Sequence, residues 1–518
     1  MKTSRRNFLF TTGLGTLSMS LLSNSESFGF FAAGLPRKSP ESQGVSSVAV
    51  RNFLKATKAS GLEWHSFMLL RHGNVVAEGW WKPFQADYMH TLYSLSKSFT
   101  STAIGFLVQE GKISVNDPVI QFFPDDLPDR VSDHLKAMKI KNLLTMNTGH
   151  ESDTMPQLRA QEPQSWVKSF LAHPVVHLPG SHFLYNTGAT YMLGAIIHKV
   201  TGQTLEQYLQ PRLFGPLNIT GYDWEKSPEG LNTAGYGLRV KTEDIAKLGQ
   251  LYLKKGKWQG KQLLSPSWIE EATSKQTTSQ AGDNDWSQGY GYQFWRCKPG
   301  FYRGDGAYGQ FCMVMPEQDA VLVMTSESWD LQKSMDVAYQ TLLPAFQTKP
   351  LATNASELAA LKDDISKLEI PVAKASVTSP ESARHGGKSF RVNANAYGVT
   401  QLEVGLNKDT CVLKMATTQG EIKITAGWEK WYVNSQTMPY IFPVATRIAI
   451  PSKIAASATW INESTLQLDL KFVEAIHGDS LTLTFEKDSV RMDFMNSISK
   501  NTKNFPEKRS PLTANLIE

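Results

Sequence analysis

The sequence predicts an α+β protein: an antiparallel sheet flanked by terminal helices with a helical insertion, followed by a small all-β C-terminal domain. Three observations carry this. Two strand-like runs stand before residue 81 and three more between residues 290 and 324, with helical patterning between them. The strands then close one sheet and the helices cover it. Beyond residue 370 the pattern changes to alternating strands separated by polar turns, as in a small barrel or sandwich. Finally, 518 residues exceed what one hydrophobic core holds. The expected division is 1–33 targeting segment, 34–348 α+β domain, 349–370 linker, 371–500 β domain and 501–518 C-terminal tail.

Ser4-Arg5-Arg6-Asn7-Phe8-Leu9 resembles the twin-arginine export consensus and precedes a modest apolar stretch from Phe8 to Leu22. Gly and Thr interrupt that stretch, which falls short of the roughly 20 apolar residues that span a bilayer. The expectation is a periplasmic or secreted protein with no stable membrane span, cleaved between Ser25 and Ala33.

A Pro/Ser-rich linker from Leu35 to Gly44 leads into a helix, Ser46 to Ala59. His65 to Leu70 and Val75 to Trp80 read as strands around the turn Arg71-His72-Gly73-Asn74. A helix follows from Ser94 to Gly111, then a turn at Val115-Asn116-Asp117-Pro118, where Asp117 serves the turn. Helical segments are expected at Ile140 to Met146, Glu162 to Leu171, Ala189 to Val200 and Thr204 to Leu213. Two capped helices follow, Thr242 to Leu253 and Leu264 to Ala272. Strands return at Tyr290 to Arg296, Tyr308 to Met315 and Ala320 to Met324, and Asp330 to Ala345 closes the domain as an amphipathic helix. The linker carries a helix, Glu357 to Leu368. The β domain shows strands at Gln401 to Gly405, Thr410 to Met415, Glu421 to Ile424, Ile448 to Pro451, Leu466 to Phe472 and Leu481 to Phe485. Gly427-Trp428-Glu429-Lys430-Trp431-Tyr432 reads either as core packing or as a sugar-stacking platform.

The net charge is +5, and residues 1–33 hold Lys2, Arg5 and Arg6 against Glu26, leaving about +3 dispersed over the rest. No basic stripe with interleaved aromatics exists, which argues against a nucleic-acid partner. Three cysteines make neither a metal site nor a disulfide framework. Cys297 and Cys312 fall on neighbouring expected strands, as a cross-strand disulfide or as two buried thiols. The histidines lack His-Glu-x-x-His spacing, so neither a metal nor an organic cofactor is expected.

The chemistry centres on Tyr93-Ser94-Leu95-Ser96-Lys97-Ser98-Phe99-Thr100. Ser94 and Lys97, three apart, share one helix face. A serine hydroxyl must lose its proton to a neighbouring base as it attacks. A lysine can take that proton only when neutral, which requires burial or a nearby cation to lower a reference pKa of about 10.4. The first helical turn also offers N–H groups to developing negative charge. Ser-x-x-Lys occurs three times, with Ser165/Lys168 and Ser497/Lys500, so context decides.

That context is Phe183-Leu184-Tyr185-Asn186-Thr187-Gly188-Ala189-Thr190-Tyr191 and then Tyr302-Arg303-Gly304-Asp305-Gly306-Ala307-Tyr308-Gly309-Gln310-Phe311. In this order the three stretches resemble the class C β-lactamase-related serine hydrolases of the penicillin-binding, Ser-x-x-Lys type. The resemblance runs from about Leu62 to Ser326, through Leu143 to His150 and Gly289 to Trp295. It implies a β-lactamase/transpeptidase-like fold and an acyl-enzyme mechanism. Ser94 would be the nucleophile, Lys97 its proton partner and Tyr185 a base or relay whose phenolate the lysine favours. Tyr191 is the alternative base, or a packing residue.

Two departures stand out. The family's more usual Tyr-x-Asn becomes Tyr185-Asn186-Thr187, so either Thr187 takes the third place or Asn186 reaches the substrate differently. The family's Lys-Thr-Gly or His-x-Gly becomes Gly304-Asp305-Gly306, without the cation that meets a substrate carboxylate. Arg303 stands either in its place or at the surface. The glycines let a strand approach closely, and the Ala307 N–H is expected to pair with the Ser94 N–H as an oxyanion hole. Gly306, Ala307, Asn186 and Asp305 are therefore candidate substrate or oxyanion residues. His150 borders the cleft in this reading, and Trp80-Trp81 either packs under the sheet or lines the pocket. The expected partner is a small ester, amide or peptide-like substrate. The alternatives are a β-lactamase or D,D-carboxypeptidase, and a sensor or scaffold that acylates without turnover.

Overall fold

Phe67-Met68-Leu69-Leu70 is a continuous apolar run, which requires that both faces of its strand be covered. A computed structural model, describing residues 34–160, 165–374, 379–435, 441–442 and 453–517, shows how. The run lies in β1 (Glu63–Arg71), beside β2 (Asn74–Trp80). The sheet continues with β3 (Trp295–Arg296), β4 (Tyr302–Gly306), β5 (Gln310–Met315) and β6 (Ala320–Glu327). Spatial order is β2-β1-β6-β5-β4-β3, antiparallel throughout. In register, Phe67 faces Met324 and Leu69 faces Leu322.

Six helices frame this sheet and its site: α1 (Ser47–Ser60), α2 (Ser96–Gln109), α3 (Thr187–Thr201), α4 (Thr242–Leu253), α5 (Leu331–Thr341) and α6 (Ala355–Ser366). Phe67, Leu69, Met313 and Leu322 pack with Phe53 of α1 and Met335 of α5. Met68, Leu70, Val321 and Val323 share a second core with Phe99 of α2, Leu193 of α3 and Leu248 of α4. The alternation that is invisible in the apolar run is thus real, with one half assigned to each helical layer.

Three local readings are corrected. Tyr290 to Arg296 forms a ladder only at Trp295–Arg296, because Gln293 turns left-handed (φ 65°) and its amide nitrogen donates to Leu143 and Leu144 oxygens. Tyr308 is not in a strand: Tyr308 (φ 63°) and Gly309 (φ 88°) form the hairpin between β4 and β5, as a tight antiparallel turn requires. The helix expected from Thr204 to Leu213 is α-helical over Leu205–Leu209 and widens over Gln210–Phe214, where Pro211 cannot donate to the ladder. The three cysteines are buried, free thiols, so Cys297 and Cys312 are not bonded to each other.

The second part is a closed barrel. Its strands are β7 (Ser389–Val392), β8 (Val399–Leu406), β9 (Thr410–Thr417), β10 (Gly420–Trp428), β11 (Tyr432–Asn434), β12 (Ile454–Asn462), β13 (Thr465–Phe472), β14 (Gly478–Phe485), β15 (Ser489–Asn496) and β16 (Leu512–Leu516). The order is β10-β9-β8-β7-β16-β15-β14-β13-β12-β11, and β10 also pairs with β12 at Gly427 and Trp428, which closes the ring. Segment 501–518, expected as a tail, supplies β16 between β7 and β15. Its Leu512 and Ala514 enter the barrel core. Trp431 donates to the Ile370 oxygen and Trp428 to the Asn407 oxygen, so both indoles are used in packing. The expected targeting segment 1–33 and the strand Ile448 to Pro451 lie outside the described residues.

Deleting residues 511–518 removes the strand that joins β7 to β15. The expected outcome is loss of the barrel's cooperative thermal transition and a gain in dye-accessible apolar surface; a truncated chain that melts like the full one contradicts the closure.

Candidate active site

Ser94 lies in a single 3-10 turn, Tyr93–Leu95, that runs directly into α2. Strand β4 passes against this turn so closely that a Cβ on Gly304 would meet Leu95 Cδ1 and one on Gly306 would meet the Leu92 oxygen. The glycines of the third stretch therefore permit a contact that any side chain blocks. On the other side, the Leu92 N–H donates to the Leu238 oxygen at 2.9 Å.

Lys97 is one per cent exposed. Its Nζ stands 3.1 Å from Ser94 Oγ, 2.8 Å from the Gly235 oxygen and 3.5 Å from Thr187 Oγ1. The Tyr185 ring lies beside it, with Nζ 4.9 Å from the ring centre. No carboxylate comes within ion-pair distance among the described residues. Burial disfavours the charged amine and lowers Lys97 to about 7, against weaker opposing pulls from Asp153 and Asp305.

Tyr185 responds in the opposite direction. Burial pushes its phenol well above the usual range, only partly offset by a hydrogen bond with Ser94. The expected lysine-favoured phenolate is therefore corrected: at neutral pH Tyr185 is a phenol, and Lys97 is the group near its titration point. The Tyr185 ring is stacked on Trp295, centroids 5.7 Å apart. Ser94, Tyr185, Asp305 and Ala307 border a cavity of about 470 Å³, walled by Phe183, Trp286 and Trp295.

The other candidates are placed as follows. Asn186 is buried, and its Oδ1 caps α3 through the Gly188 N–H (3.1 Å) while accepting from Thr154 Oγ1 (2.8 Å). It does not face the cavity; the following Thr187 is the residue that reaches Lys97. Arg303 is neither a surface arginine nor a substrate-facing cation. It is fully buried, pairs with Asp305 at 2.9 Å and has Trp286 against its guanidinium. The cavity wall thus presents a neutralised carboxylate. Tyr191 bonds Glu229 at 2.8 Å and Ser227 at 3.1 Å, away from Lys97. His150 is buried against Thr148 and Phe170. Ser165 only caps its helix, and Ser497 donates to Glu327. Trp81 packs in the sheet's core. Sequence reasoning missed the Gly235 carbonyl, Asp153, Trp286 and Trp295. A backbone carbonyl carries no sequence signal, although the Gly235 position, whose Cβ would stand 2.9 Å from Thr187 Cγ2, demands a small residue. Among the described residues no cluster of His, Cys, Asp or Glu is arranged to hold a metal, and no helix is long and apolar enough to cross a membrane.

An antiparallel sheet between helical layers, with a Ser-x-x-Lys turn facing a tyrosine across a cavity, defines the β-lactamase/transpeptidase-like class. The chain belongs to the beta-lactamase family, whose model matches residues 49–345. It is similar to the 6-aminohexanoate-dimer hydrolase of Paenarthrobacter ureafaciens, 26% identical over 288 residues, covering 51% of this chain and 72% of that one. It is also similar to a beta-lactamase of Escherichia coli K12, 24% identical over 232 residues, covering 41% of this chain and 57% of that one. Among solved structures, the octameric penicillin-binding protein homologue from Pyrococcus abyssi aligns with a TM-score of 0.47 and 16% identity, covering 90% of this chain and 99% of that one.

A buried lysine without a counter-ion has a stability signature. The unfolded side chain titrates near about 10.4, the folded one at about 7. Between these values the unfolded state binds more protons, so this site's contribution to stability rises with pH. Lys97→Met is expected to raise Tm by about 2–4 °C at pH 6.5 and by much less at pH 9.5. A gain independent of pH contradicts the shifted lysine.

Proposed function

We propose that the chain is a serine hydrolase that cleaves esters or amides through an acyl-enzyme on Ser94. The observation that carries this is the buried, ion-pair-free Lys97 amine 3.1 Å from Ser94 Oγ. Neutral Lys97 takes the hydroxyl proton as Oγ attacks the substrate carbonyl. The resulting oxyanion accepts from the Ser94 and Ala307 N–H groups. Collapse breaks the bond to the leaving group, which leaves with the Tyr185 proton; Lys97, now ammonium, returns its proton to Tyr185. Water then adds to the ester carbonyl, giving its proton to Lys97. The Ser94 oxygen leaves, recovers that proton, and the acid product departs. Tyr185, held as a phenol, serves as proton donor and relay.

The cavity favours a neutral or peptide-like substrate over one that presents a carboxylate at the third stretch. Asp305 stands there, and the guanidinium beside it, Arg303, is paired with it. This tilts the reading toward an esterase or amidase, with β-lactam or D,D-peptide cleavage as the alternative. The twin-arginine-like segment Ser4 to Leu9 supports action in the periplasm.

With a chromogenic short-chain ester, kcat/KM is expected to rise with pH through about 7 as Lys97 loses its proton. Ser94→Ala is expected to lose about 10³-fold or more and Tyr185→Phe about 100-fold. A chromogenic cephalosporin should turn over far more slowly than the ester. Unchanged ester turnover in Ser94→Ala overturns the mechanism, and rapid cephalosporin hydrolysis overturns the substrate tilt.

A further inference from the structure

The two amides assigned to the oxyanion hole belong to Ser94 and Ala307, and each has an unusual neighbour. Tyr93, immediately before Ser94, has φ 48°; Tyr308, immediately after Ala307, has φ 63°. A left-handed conformation is unfavourable for a non-glycine residue and persists only where surrounding contacts impose it. Both tyrosines meet the same side chain, and it comes from the barrel. His477, four per cent exposed at the turn between β13 and β14, places Nε2 2.7 Å from Tyr93 Oη. The Tyr308 ring stands edge-on to the His477 ring at 4.7 Å and to the Tyr93 ring at 5.2 Å.

The histidine is itself fixed. Its Nδ1 is 2.7 Å from Glu327 Oε1 at the end of β6, and Ser497 Oγ donates to the same oxygen. Lys471 of the barrel pairs with Glu327 at 3.5 Å and with Glu63 at 2.6 Å. Burial would raise Glu327, but the hydrogen bond to His477 and the charge of Lys471 hold it below the ordinary carboxylate value. An ionised carboxylate only accepts, so His477 donates from Nδ1 to Glu327, and its Nε2 shares a hydrogen bond with the Tyr93 hydroxyl. Burial keeps the Tyr93 phenol protonated.

We propose that His477 is a positioning residue for the hydrolase site: a barrel side chain that braces Tyr93 and Tyr308 together and so sets the spacing of the two oxyanion amides. The barrel is then part of the site's geometry. This rests on the oxyanion reading above, so its test runs beside Ser94→Ala.

Tyr93→Phe removes one oxygen and leaves the ring; His477→Phe removes both hydrogen bonds. Each is expected to lower kcat on the chromogenic ester about 10–100-fold with KM within twofold, and the double variant should be no slower than the slower single one. Lys453→Ala, which removes an amine stacked on the Tyr88 ring at 4.2 Å, tests another barrel contact and should leave kcat unchanged. Wild-type kcat in folded Tyr93→Phe, or losses that multiply in the double variant, overturn the brace. Equal loss in Lys453→Ala overturns it too, by showing a general requirement for the barrel. If Ser94→Ala is inactive while His477→Phe, folded at the wild-type Tm, is fully active, the brace alone has failed. Activity retained in Ser94→Ala means that the reading beneath it has failed.

Discussion

An amine buried without a counter-ion is the constraint on which this structure turns. Taking a charged ammonium out of water is expensive, and a protein ordinarily compensates with a carboxylate. Among the described residues Lys97 hydrogen-bonds to two hydroxyls and the Gly235 carbonyl, and no carboxylate pairs with it. Burial therefore lowers the amine to about 7, with its nitrogen 3.1 Å from Ser94 Oγ. The surrounding fold serves this arrangement: the 3-10 turn that holds Ser94 runs into α2, which carries Lys97, α3 brings Thr187, and β4 closes on the Ser94 turn through Gly304 and Gly306.

The same low-polarity surroundings separate Lys97 from Tyr185. Burial lowers an amine and raises a phenol, so two groups whose ordinary values lie close together are driven apart: Lys97 gives up its proton first and Tyr185 keeps its own. Asp305 and Arg303 form a second buried pair whose charges are spent on each other. The cavity gains rigidity from it without gaining a cation for a substrate. The third stretch thus combines a close glycine approach to the Ser94 turn with a wall whose charges are already paired.

What the sequence revealed follows the range of the interactions. Helix α1, strands β1 and β2 and the Ser94/Lys97 pair are local patterns, legible from periodicity and spacing. Strand β4 was hidden because Tyr-Arg-Gly-Asp-Gly has poor strand propensity, and it forms because glycine alone fits against Leu92 and Leu95. Asn186 looked like a substrate ligand, since an amide suits a helix cap and a binding site equally; only the long-range contact with Thr154 decides. Barrel strand β16 reads locally as a tail, because a five-residue alternation is short and its partners lie far away in sequence. Nothing local marks His477, whose partners are Tyr93 and Glu327.

The most direct test is the ionisation of Lys97 itself, followed by NMR with ¹³Cε-labelled lysine and assigned by the signal missing in Lys97→Arg. The account predicts one resonance titrating at about 7, apart from the solvated lysines near about 10.4. A Lys97 that stays charged up to the range of its solvated neighbours would mean that Ser94 has no base beside it, and the mechanism would fall with it.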